Sequence, residues 1–128
     1  MCIDYGDWDM HSDLGTVDGG RFQRRLSEWS AGVAAFATDL GTAGMSNVSL
    51  VTMSEFGRRV AENGDHGTDH GHGNAMLILG GGVVGGTVHG PWPGLGAEAL
   101  DDGDLAGTTD YRDVLGEVLT SRCRHSSS

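Results

Sequence analysis

The chain contains no lysine. All eight basic residues are arginines, set against 18 acids for a formal charge of −10, and they occur in short pairs such as Arg24–Arg25 and Arg58–Arg59 that form no stripe. Neutralising a phosphate backbone takes a dense basic face, so the composition argues against nucleic acid as a partner. Cysteine is nearly missing as well. Cys2 and Cys123 sit toward opposite ends with no CxxC spacing, which leaves neither a zinc knuckle nor a disulfide framework. No apolar run approaches the roughly 20 residues of a membrane span. The N-terminus lacks the basic-then-apolar order of a signal peptide, and the compartment stays open.

What the chain has in excess is glycine. Its 23 glycines in 128 residues far exceed the usual share of about 7 per cent, but they cluster between apolar runs without a fixed period. That pattern belongs to a loop-rich globular domain, and the length allows one domain with a single core. Most of the acids serve solubility on this reading. Combined with six histidines, they also offer ligands for divalent cations.

The firmest element is a helix beginning at Arg21. Phe22, Leu26, Trp29, Val33, Phe36 and Leu40 alternate at intervals of four and three and share one stripe. Gly41 follows the last of them, where a left-handed cap is commonly needed. Residues 1–5 resemble the end of a buried strand, and residues 6–20 read as loop. Asn47–Met53 and Ala75–Leu79 are nearly continuous apolar runs, as in strands covered on both faces. Residues 83–88 suggest a hairpin turning at Gly85–Gly86, and residues 90–108 look irregular. Asp110 can cap a final helix with Tyr111, Val114, Leu115, Val118 and Leu119 inward and Asp113 in the first turn. Residues 121–128 form an unpatterned tail expected to be disordered. The order of elements predicts an α/β architecture with a largely parallel sheet, whose sites lie beyond the carboxyl ends of the strands.

Two stretches carry the chemistry. In DYGDWDMH, residues 4–11, an extended backbone would place Asp7, Asp9 and His11 on one side; a solvated acidic loop is the plainer alternative. In GTDHGHGN, residues 67–74, Asp69 and His70 are suitable ligands for zinc, manganese or iron, and His72 is either a ligand or a group that orients one. Gly67, Gly71 and Gly73 allow a tight backbone there; histidines brought to a surface loop by chance are the alternative. Neither stretch completes a site alone, but two half-sites on neighbouring elements could share one or two ions. Between them SEFGRR supplies Glu55 and Arg58, which read as substrate contacts or as a structural ion pair or anchor.

TMSEFGRRVAENGDHGTDHGHGNAMLILGGGVVGG, the WDMH element, HGPWPGL and TTDYRDVLGEVL together resemble, in that order, the bacterial family called domain of unknown function 1501, over Ile3 to Leu119. That family is regarded as a branch of the alkaline phosphatase and sulfatase superfamily. The resemblance implies an α/β/α sandwich with a mostly parallel sheet and a metal-dependent hydrolase ancestry. It carries over Asp69 and His70, in a TxDHGxx-like loop with Thr68, as ligands of one ion. His11 carries over as ligand of another, partnered by Asp4, Asp7 or Asp9, of which Asp9 is taken here. The family usually has Gly-Gly-Trp-Asp-Thr-His where this chain has Gly6 to His11 with an added Asp7 and with Met10, and that muddies the choice of carboxylate.

Superfamily enzymes carry their nucleophile upstream of these motifs, so the resemblance implies that residues 1–120 correspond to the C-terminal half of such a domain. The expected function is a fragment of a metal-dependent hydrolase acting on phosphate or sulfate esters, with zinc or manganese bound, and inactive or nearly so by itself. The rival expectations are a module that binds a metal, ligand or partner without turnover, and a truncated product that does not fold stably. Full-length relatives are often exported, but this chain shows no signal, and its oligomeric state is not written in these residues.

Overall fold

The computed structural model describes residues 1–122. In chain order the elements are helix α1 (Arg21–Met45), strands β1 (Ser49–Val51), β2 (Gly57–Arg58), β3 (His70–Gly71) and β4 (Ile78–Gly80), a short 3-10 turn (Ala97–Ala99) and helix α2 (Tyr111–Arg122).

The stripe of α1 lies where the sequence puts it. Gly41 adopts the expected positive φ of 61°, yet there it kinks the helix, which resumes and runs to Met45. Its end is closed at Ser46, whose backbone N–H donates to the Thr42 carbonyl at 3.1 Å. Helix α2 starts as its residues dictate. The Asp110 carboxylate accepts from the Arg112 backbone N–H at 2.8 Å, and Asp113 lies in the first turn, both satisfying the positive end of the helix. At the other end Arg122 donates to the Ser46 carbonyl at 2.5 Å, which ties the two helix ends together. Ser121 and Arg122 are thus helical, and the rest of the expected tail lies outside the described residues.

The expected α/β/α sandwich with a mostly parallel sheet is not what forms. The described chain has two separate two-stranded sheets, β1 with β4 and β2 with β3, and both are antiparallel. Parallel pairing needs a crossover of a dozen or more residues, usually helical, between the paired strands, and here the chain between β1 and β4 contains only short strands and loops. The apolar runs at residues 47–53 and 75–79 do supply strands, but shortened ones, paired Ser49 to Gly80, Leu50 to Leu79 and Val51 to Ile78. An unbroken apolar run signals coverage of both faces and says nothing of direction. In the structure both strands stay half-buried. Residues 1–5 form no strand and residues 83–88 no hairpin.

Among the described residues Met10 is the one buried apolar side chain, at 2% exposed. Around it the N-terminal segment docks on α1. Trp8 sits between Tyr5 and Phe22, with ring centroids 5.9 and 5.8 Å away. The Arg25 guanidinium lies over the Tyr5 ring at 3.9 Å and donates to the Gly6 carbonyl at 2.7 and 2.9 Å. This docking fixes residues 5–10, and so fixes where Asp9 and His11 emerge.

Candidate metal centre

Two short backbone pairings join three segments, the two chemically rich stretches and the one between them. Residues 10–14 run against 65–68: Ser12 bridges His66, Asp13 N–H donates to the Asp65 carbonyl at 3.0 Å, Leu14 N–H to the His66 carbonyl at 2.9 Å, and Thr68 N–H to the Met10 carbonyl at 3.3 Å. Strands β2 and β3 add the third segment, with Arg58 opposite His70 and Arg59 N–H donating to the Asp69 carbonyl at 3.0 Å. The glycines of the loop work by close approach. A Cβ on Gly67 would collide with the His11 carbonyl and lie 2.5 Å from Ser12 N; one on Gly71 would lie 2.6 Å from the Arg58 carbonyl carbon. At both positions only glycine lets the backbones meet.

The side chains then converge on a single oxygen. Asp9 Oδ1 lies 2.8 Å from His70 Nε2, 3.0 Å from His11 Nε2 and 3.1 Å from an Arg58 guanidinium nitrogen. His11 has a second carboxylate on its other side, Asp69 Oδ1 at 2.9 Å from Nδ1. The two imidazole rings are 4.9 Å apart, and His70 stacks nearly parallel on Phe56, with centroids 4.2 Å apart. Arg58 locks the arrangement by donating also to the Trp8 carbonyl at 2.7 Å and the Thr68 carbonyl at 2.6 Å. The hydrogen bond with His70, with His11 and Arg58 adding to it, holds the Asp9 carboxyl below its ordinary pKa; the His11 hydrogen bond, then that from Asn63, does the same for Asp69.

The donor set fits a divalent cation. Asp9, His11 and His70 offer ligand atoms all within 4.8 Å of one another. Around tetrahedral zinc, bonds of about 2.0–2.2 Å place ligand atoms roughly 3.3 Å apart, so the 2.8 and 3.0 Å separations need to open by only a few tenths of an ångström. His11 gives a chemical reason as well. Both its nitrogens face carboxylate oxygens, Asp69 at Nδ1 and Asp9 at Nε2; with a proton on Nδ1 toward Asp69, the Nε2 lone pair would be free to meet an ion shared with Asp9. A carboxylate on the far nitrogen of a ligating histidine fixes its tautomer and orientation. Arg58 shares the Asp9 oxygen and competes with any ion for it.

The structure thus brings Asp9, His11, Asp69 and His70 together, with Asp69 behind His11 and outside the three-ligand group. Asp7 does not join them. Its φ of 65° breaks the extended run, and its carboxylate lies 3.5 Å from Arg25. Asp4 and Glu55 are exposed and make no polar contact among the described residues. Arg58 is an anchor, but to Asp9 and two carbonyls and not to Glu55. Thr68 contributes its backbone, and His72 is exposed with its ring beside Gly107.

Two contributors escape the sequence reading. Asn63 donates to the His11 carbonyl at 2.9 Å and to Asp69 Oδ1 at 3.0 Å, while its own Oδ1 accepts from the Asp65 and Gly67 N–H groups at 3.0 Å. The Asn63-Gly64 dipeptide is a turn signal that could have found it. Phe56, the platform under His70, has no local signal at all. No curated protein and no solved structure matches the chain. The family described as "Protein of unknown function (DUF1501)" matches residues 2–118, nearly the whole length, and the chain belongs to it.

Proposed function

We propose that Asp9, His11 and His70 hold one divalent cation, zinc or manganese, with Asp69 orienting His11, in a hydrolase-like protein acting on phosphate or sulfate esters. The observation that carries the metal reading is the meeting of three ligand atoms within 4.8 Å, drawn from segments some sixty residues apart. Mixed nitrogen and carboxylate donors suit zinc, and three protein ligands leave a position open to solvent or substrate. The ester reading is supported by the likeness of residues 67–73 and 8–11 to the motifs of alkaline phosphatases and sulfatases; the antiparallel architecture adds nothing to it.

A bound cation would supply Lewis acidity, stabilising negative charge on an ester oxygen. The chain's own residues do the positioning. Asn63 and Asp69 fix the His11 ring, Phe56 fixes the plane of His70, and Arg58 keeps the Asp9 carboxylate between them. The reading assigns this chain cation binding and charge stabilisation, and it assigns no attacking group.

Metal content per chain, measured after loading with zinc or manganese, tests the site: wild type retains about one ion and His70→Ala and Asp9→Ala lose it. Equal content in all three removes the site. Turnover of aryl phosphates and aryl sulfates by the loaded protein tests the ester half separately.

One observation favours a second reading. His11, His70 and Asp9 have side chains 47, 49 and 57% exposed, and the best-defined concavities lie elsewhere, at α1 with residues 79–81 and around Arg21, Arg24 and Arg25. Catalytic metal sites exclude water. A full ion without turnover on either ester class would make this a binding module.

A further inference from the structure

Helix α1 carries an apolar face that the rest of the chain leaves open. Its six stripe residues follow the alternating four-and-three spacing of a seam between two helices. None is buried, and Phe22, Leu26 and Phe36 are 45, 42 and 38% exposed. Among the described residues only Phe22 of the six has an aromatic neighbour, Trp8. The chain as a whole exposes 9465 Å² at 13.4 kDa, where a folded monomer of that mass exposes about 6,500 Å². The excess is larger than the roughly 800 Å² that each partner contributes to a stable dimer.

We propose that α1 pairs antiparallel with α1 of a second copy of this chain. Charge selects both the occupant and the direction. The chain is strongly acidic, but α1 holds three arginines, Arg21, Arg24 and Arg25, against two acids, Glu28 and Asp39, so two copies meeting there escape the acid-on-acid repulsion of the rest of the chain. Its arginines stand at its own N-terminal end, with no acid in the first turn, where the helix dipole disfavours them. Arg25 is already held by Gly6, Asp7 and Glu28, whereas Arg21 has only the neutral Ser12 carbonyl as acceptor and keeps its charge for a partner. Asp39, near the other end, makes no ion pair or hydrogen bond among the described residues. An antiparallel pair sets each basic end beside the partner's Asp39 and its helix C-terminus, where cations are favoured.

The stripe fixes the register. Leu26 faces the partner's Phe36 and Trp29 faces the partner's Val33, so the two-fold passes midway between Trp29 and Val33. The seam ends before the kink at Gly41, so about 30 Å of straight helix is available.

Sedimentation equilibrium of the purified chain, from low micromolar to hundreds of micromolar, reads the mass. The expected result is a dimer whose dissociation constant rises roughly a hundredfold in Leu26→Glu and Phe36→Glu, because each buries a charge in the seam. Ala31→Glu, on the opposite side of α1, leaves the dimer intact; circular dichroism checks that all three keep their helix. A second measurement gives direction. In a Cys2→Ser, Cys123→Ser background, Leu26→Cys mixed with Phe36→Cys cross-links the two variants to each other under mild oxidation, and Leu26→Cys alone does not cross-link to its own copy. A monomer at every concentration, a dimer indifferent to both stripe charges, or cross-linking of Leu26→Cys to its own copy in place of Phe36→Cys would each overturn the proposal.

Discussion

The Asp69 carboxylate holds His11 from the side facing away from Asp9, with Oδ1 2.9 Å from Nδ1. Fifty-eight residues separate the two, and if His11 is the ligand proposed above, the contact makes Asp69 the group that sets its tautomer. Replacing such a group weakens metal binding about 10- to 100-fold without abolishing it. Asp69→Asn should therefore retain zinc with lowered affinity in a competition titration against a chelating dye, while Asp9→Ala loses it. Complete loss in both would place Asp69 on the ion itself, as the resemblance has it.

Arg58 joins the N-terminal segment to the β2–β3 hairpin through the Trp8 and Thr68 carbonyls and Asp9. These partners are splayed in the way a planar guanidinium fork can reach and a single ammonium cannot. Arg58→Gln should destabilise the chain by about 2 kcal/mol, the scale of hydrogen bonds involving a charged group, and Arg58→Lys should recover less than half of that. Urea unfolding followed by tryptophan emission measures it, since Trp8 is on the segment that would detach.

Gly67 is where the backbones of residues 11–12 and 66–68 touch. A methyl group there pushes the strands apart and takes His11 away from Asp69. Gly67→Ala should cost about 2 kcal/mol or more and lower metal affinity as well. Gly64→Ala, where a Cβ meets nothing within 4 Å, is the matched control and should do neither.

How much of this was legible beforehand depended on range. The stripe of α1 and the cap at Asp110 are local patterns, and the structure has both. Asp69 and His70 stood out as adjacent ligand types in a glycine-rich loop, and the family resemblance added His11 with a carboxylate left open among Asp4, Asp7 and Asp9; that the group closes on Asp9 comes from the folded backbone. Strand direction was not readable, since the runs at 47–53 and 75–79 look alike in parallel and antiparallel pairing. Asp7 was misplaced because alternation assumes an extended backbone, and a positive φ at a non-glycine residue leaves no mark in the sequence. Phe56 escaped because stacking on His70 depends on a register that only the folded hairpin defines.

Acid should separate the carboxylates by their partners. Asp110 is held down to about 2 from 3.8 by Arg112, first through its side chain and then its backbone N–H. Its folded pKa is depressed, so the stabilisation it brings is present above the unfolded value and is lost as pH falls through the folded one. Between pH 3.8 and about 2 the start of α2 should therefore loosen. Asp9 and Asp69 are also lowered, so the metal-free site loses their contributions in the same direction, below the ordinary carboxylate range of about 4. Helicity measured by circular dichroism down that range should fall in wild type. Asp110→Asn keeps a side-chain acceptor for the Arg112 N–H but has no carboxyl to protonate. It should begin with less helix and lose a smaller share of it on acidification, and an acid limb as steep as that of wild type would show that Asp110 is not what the acid acts on at α2.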